Sequence, residues 1–129
     1  NMRTVEIDGG QILDLATFYY EVERKLTKGL DWRLGHSLDA LHDILYGGFG
    51  VHAPHEELHI IWLRAKNSQE ALGYPETIAH YEQKVQQPGV NTQLFKKRLA
   101  LAQAHEGRTL FDIIVEILIR HDKVKVTFA

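Results

Sequence analysis

Two groups of residues in this chain have the types and spacing to do chemistry. The first is Asp39 and Asp43, four positions apart. On a helix, residues i and i+4 share a face, so two carboxylates there stand together and repel by roughly a few tenths of a kcal/mol. Asp39 falls in the first turn, where the positive end of the helix dipole favours an acid. Asp43 lies deeper, and its i±3 and i±4 neighbours, Ala40, Tyr46, Asp39 and Gly47, include no base. Between Leu34 and Leu63 there is no Lys or Arg, and Asp39, Asp43, Glu56 and Glu57 give a net charge of −4. Such a segment has two readings: a solvated acidic face, or negative charge offered to a cation-lined partner. The second group is His55-Glu56-Glu57-Leu58-His59, which fits H-E-x-x-H. On a helix that motif sets two imidazoles on one zinc and a glutamate on the attacking water.

The flanking elements decide what each group can do. Leu38, Leu41 and Leu45 recur at helical spacing, Ser37 is a good N-cap, and Gly47-Gly48 is a good stop. The acids therefore sit on a short helix that has a leucine side for a core. The histidine motif lacks such support. Pro54 precedes it, and His59-Ile60-Ile61-Trp62-Leu63 is rich in strand formers. In a strand, residues four apart lie about 13 Å from each other, too far to share one zinc. No third ligand is indicated, so a zinc hydrolase is a remote alternative and no metal or other cofactor is expected.

Leu38-Asp39-Ala40-Leu41-x-Asp43-x-Leu45 after Gly35 resembles the signature helix of the barstar family, small intracellular inhibitors of secreted ribonucleases. The resemblance implies that this helix and the preceding loop plug a nuclease active site. It makes Asp43 the acid that fills the nuclease's phosphate pocket and Asp39 its support one turn earlier. It also makes Gly35, Arg33, His42 and Tyr46 part of the partner-binding surface. Leu34, Arg33, Ser37 and His42 depart from the residue types the family carries there. Those departures bear on which nuclease is bound more than on whether an acidic helix is presented. Gly47-Gly48-Phe49-Gly50 and Ala71-Leu72-Gly73-Tyr74-Pro75-Glu76-Thr77 resemble segments of the longer family members.

Along the rest of the chain, Arg3–Ile7 alternates as a strand and Asp8-Gly9-Gly10 turns it. Asp14 caps a helix running to about Lys28, with Leu15, Phe18, Tyr19, Val22 and Leu26 as its apolar stripe. Residues 30–36 form a loop, and Trp32 within it is either a contact aromatic or a lid on the core. A second strand follows at His59–Leu63, which the resemblance also implies, and a short helix at Ser68–Leu72. Two helices, Glu76–Gln87 and Thr92–His105, flank Pro88-Gly89 as a helical hairpin. The segment from about 74 to 107 is longer than the smallest barstar relatives carry there, and reads as an insertion. Lys84, Lys96, Lys97, Arg98 and Arg108 against Glu106 give the stretch 84–108 a net +4, either a solvated face or a contact for a partner. Thr109-x-x-Asp112 opens a last helix that is apolar nearly all round and is expected to be the most buried. Glu116 interrupts that helix and must reach solvent or a base; by position it resembles a family contact glutamate. Val124, Val126 and Phe128 alternate inward on a closing strand.

Composition bounds the rest. The chain has 129 residues, 44% of them hydrophobic, and no Cys, which fits one domain (residues 1–129) without disulfides or thiolate metal sites. The net charge of −2 argues against general nucleic-acid binding. No apolar run approaches a membrane span. Asn1 ahead of Met2 reads as an added residue, and the opening stretch, bracketed by Arg3 and Glu6, does not read as a secretion signal. The expectation is an α/β fold: a barstar-like, three-stranded parallel sheet packed with helices and carrying an inserted helical hairpin, its crossovers right-handed. The expected protein is not an enzyme, since no nucleophile–base set is present. It is a cytoplasmic inhibitor, monomeric when free, whose partner is a microbial ribonuclease or a related toxin. Its partner-binding residues are Asp39, Asp43, His42, Gly35, Arg33, Trp32, Tyr46 and Glu116. An immunity or adaptor protein for a non-ribonuclease toxin is the alternative.

Overall fold

Alternation of apolar and polar residues near both ends of the chain produces the two outer strands of a parallel sheet. In the computed structural model, which describes residues 2–27, 37–45 and 56–129, β1 (Met2–Asp8) turns Val5 and Ile7 inward and β3 (Val124–Phe128) turns Val124 inward. Between them runs β2 (Glu57–Leu63), burying Leu58, Ile60 and Trp62. Both pairings are parallel, with Val5 opposite Ile60 and Ile60 opposite Val126. Parallel neighbours require crossovers. The first carries α1 (Leu15–Leu26) and α2 (Leu38–Leu45). The second carries α3 (Ala65–Ala71), α4 (Tyr74–Lys84), α5 (Thr92–Gln103) and α6 (Leu110–Arg120). The expected α/β class with three parallel strands is the one observed.

The core centres on Trp62. Its ring stacks on Phe18 of α1 at 5.8 Å and meets Phe111 of α6 at 5.3 Å. Its indole N–H donates to the buried Ser68 hydroxyl at 2.8 Å. α3 starts at Ala65, three residues before the expected Ser68, so the serine lies inside the helix as a core partner and not at its opening. Gly9 follows β1 where the chain passes against residues 63–64; a Cβ there would lie 2.3 Å from the Arg64 carbonyl oxygen, so only glycine fits.

α1 and α6 are set by reciprocal caps, Asp14 with Thr17 and Thr109 with Asp112. α1 buries one carboxylate, Glu21, which accepts from the Asp8 N–H at 2.8 Å and from Arg24 at 2.6 Å. α6 buries Leu110, Phe111, Ile114, Ile117 and Leu118, but Ile119 is 61% exposed. Burial along α6 is thus one-sided, where the sequence pattern promised an apolar surface nearly all round. On β3, Phe128 packs against Trp62 and Phe111 yet stays 47% exposed at the strand's end.

α4 and α5 pack on each other across a turn in which Gly89 takes φ +81°. Thr77 ties this pair to α6: its hydroxyl accepts from the Leu110 N–H at 2.9 Å and donates to the Gly73 carbonyl at 2.7 Å. At its base the Tyr74 ring stacks on His105 at 4.9 Å, and the Tyr74 hydroxyl donates to the Gly107 carbonyl at 2.7 Å. α5 contributes Ala102 to the interior and leaves Leu94 and Leu101 exposed. No helix among the described residues is long and apolar enough to cross a membrane.

Candidate functional site

α2 is eight residues long and its two sides differ in kind. Leu41, Ile44 and Leu45 are buried, and Leu38 packs partly against the same core. Ser37 caps the start, its hydroxyl accepting from the Ala40 N–H at 3.1 Å. With the leucine side anchored, the 3.6-residue period leaves Asp39 and Asp43 exposed on the opposite side. Neither acid forms an ion pair with any other of the described residues. Asp39 lies close enough to act on the buried Tyr19: burial first, and then the Asp39 charge, pushes the Tyr19 phenol up to about 12.

His42 lies between the two sides of α2 and is half-buried. Its Nδ1 sits 3.0 Å from Nε2 of His121, just beyond α6. One imidazole donates and the other accepts, the roles being set by the tautomers. The His121 imidazole is held below its ordinary range by burial, then by the neighbouring His42 and Arg120, with Asp122 opposing. Nothing local in the sequence points to His121 as a partner of His42, because the two stand 79 positions apart.

Glu116 reaches a base of its own chain. Its carboxylate is held by Arg108, and by Arg120 at 2.6 Å. The Arg108 hydrogen bond is the largest cause that keeps the Glu116 carboxyl below the usual range. Among the described site candidates, Asp39, His42 and Asp43 share one helix, whereas Glu116 lies on α6 inside an arginine pair. Gly35, Arg33, Trp32 and Tyr46 lie outside the described residues, as do His55 and the 47–50 segment.

Asp39 lines a cavity of about 570 Å³ shared by α2, the start of α1, α4 and α5; the Leu15 N–H donates to the Glu76 carboxylate across the start of α1 and α4 at 2.7 Å. His80, Lys84 and Arg98 line the same cavity as Asp39. Burial, with the Lys84 charge adding to it, pushes the His80 imidazole down to about 4, so it faces the cavity neutral. The sequence pattern marks Lys84 and Arg98 only as part of a basic run; their place in one cavity with Asp39 depends on how the α4–α5 pair packs.

The second histidine of the H-E-x-x-H motif lies on a strand, as its strand-forming neighbours led one to expect. β2 begins at Glu57, so Glu57-Leu58-His59 is extended and cannot present the helical spacing. His59 Nε2 instead lies 2.7 Å from the Thr127 hydroxyl on β3. No group of three or more potential metal ligands occurs among the described residues.

Residues 2–97 of the chain match the family model described as Barstar (barnase inhibitor). No curated protein matches the chain. The matched stretch holds β1, α1, α2, β2, α3, α4 and the opening half of α5; α6 and β3 lie beyond it.

Proposed function

Because the chain belongs to the barstar family, we propose that it inhibits a ribonuclease by setting α2 into the nuclease active site. A ribonuclease cleft is lined with cations because it must hold phosphates. Asp39 and Asp43 on a packed helix supply negative charge where the RNA backbone would lie. Opposite potentials speed the encounter, and charge pairs stripped of water slow the release. The observation that carries this reading is the exposure of both acids without an ion pair among the described residues. His42 anchors the same helix at its flank, and Gly35, Arg33, Trp32 and Tyr46 would complete the contact surface at its two ends. Glu116 is already neutralised by Arg108 and Arg120, so the reading leans on the two aspartates. In this reading the protein is a monomer when free, resides in the cytoplasm, and protects its own cell.

The test is a titration of the full chain into a microbial guanyl-specific ribonuclease while cleavage of a fluorogenic RNA is followed. Stoichiometric loss of cleavage is expected. Unimpaired cleavage at equimolar inhibitor, both for that enzyme and for a nuclease encoded beside this gene, would overturn the proposal.

A further inference from the structure

The groove between α5 and α6 has the character of a second site, separate from α2. Its cavity measures about 350 Å³, near the lower end of ligand pockets. Leu101, 40% exposed, and the buried Ile117 supply an apolar lining. Arg98, Arg108 and Arg120 stand around it with Glu106 and Glu116, so three cations face two anions. Arg108 and Arg120 each use one terminal nitrogen on Glu116, and a guanidinium carries five N–H donors. Their side chains are 57% and 65% exposed, which leaves the remaining donors open to a ligand. Arg98 forms no ion pair with any other of the described residues; its guanidinium lies 5.6 Å from the centroid of the Phe95 ring. Apart from Tyr81, every lining residue lies beyond the family-matched stretch.

A lining that sets apolar side chains beside one surplus positive charge suits a monoanion with an apolar body. Planar guanidinium forks match the two oxygens of a carboxylate, and the volume accommodates a body the size of one large side chain. We propose that this groove binds a carboxylate carried on a single large apolar group. The carboxylate lies at Arg98 and Arg120, and the apolar group lies against Leu101 and Ile117. A free small acid and the C-terminal residue of another chain share this chemistry. The inference does not rest on the nuclease reading.

The experiment is a titration of the isotopically labelled full chain, followed by NMR amide shifts. The probes are N-acetyl-leucine, the peptide N-acetyl-Gly-Gly-Leu with a free carboxyl, the amidated form of each, and inorganic phosphate. Saturable shifts confined to α5 and α6 are expected for at least one free acid. Its amide should bind about tenfold more weakly or worse, the scale of a charge-assisted hydrogen bond. Binding by N-acetyl-leucine supports the site with a small acid sufficient; binding by the peptide alone supports it with a chain terminus as the source. Arg98→Gln removes an exposed group without a described ion pair, and should weaken binding about fivefold or more at unchanged Tm. Leu101→Ser should weaken it as well. Equal binding of acid and amide, equal shifts from phosphate, an unaffected Arg98→Gln variant, or no saturable shift would each overturn the proposal.

Discussion

His42 Nδ1 and His121 Nε2 lie 3.0 Å apart, joining the middle of α2 to the chain just past α6. The contact suits neutral rings, and a second added proton would set two cations against each other. Among the described residues, the groups that act on His121 are His42 from α2, Arg120 from α6 and Asp122 beside it; burial and then the first two hold its pKa down. A histidine whose folded pKa is depressed contributes stability above the unfolded pKa, and that contribution is lost as pH falls through the folded value. The urea midpoint should therefore drop as pH is lowered from 7.5 to 5.5. In His121→Gln the drop should be smaller. An equal drop in both proteins would show that the pair is not the cause.

His80 gives a sharper case of the same sign. Burial, with Lys84 adding, brings its imidazole from an ordinary 6.5 to about 4. Its stabilising contribution is full above 6.5 and is lost progressively as pH falls toward 4. An NMR titration of the ring should leave His80 neutral at pH 5, where exposed histidines are charged. His80→Asn should flatten the stability profile between those limits. A ring midpoint near 6.5 would contradict the burial described for it.

Asp43→Ala should separate function from stability. Removing one member of a desolvated interfacial charge pair costs on the order of 2–5 kcal/mol, a range to which the family's own nuclease complex contributes. Calorimetry against the inhibited nuclease should show that loss. Folding stability should shift by less than roughly 0.5 kcal/mol, because the side chain is exposed and its removal relieves repulsion from Asp39. A large loss of stability with unchanged affinity would reverse the assignment.

Ser68→Ala should act on the fold alone. It leaves the buried Trp62 indole N–H without its partner, at a cost of about 1–3 kcal/mol. Urea denaturation measures this directly, and any remaining folded protein should inhibit normally.

The parts of the fold legible in the sequence are those written locally. Alternation marks β1 and β3, and the leucine spacing with Ser37 marks α2 and its acidic side. Thr109 and Asp112 mark the start of α6. What could not be read depends on how side chains meet once the elements pack. Ser68 looks like a helix opening until Trp62 claims its hydroxyl. Glu116 must reach solvent or a base, and only the folded chain shows Arg108 and Arg120 closing on it. Ile119 looks like core because one-sided burial of α6 is decided by the sheet, not by its own residues. The pairing of His42 with His121 has no local signature at all.

In the proposed nuclease-inhibiting role, the brevity of α2 has a consequence for how protection could fail. Eight residues are too few to hold a helix in water unaided. The aspartates keep their alignment because Leu41, Ile44 and Leu45 are clamped by a core that exists after the sheet has closed. A synthetic peptide copying residues 37–45 should therefore be inert as an antidote, and a lesion far from α2 that loosens the sheet should disarm the inhibitor while every contact residue remains intact.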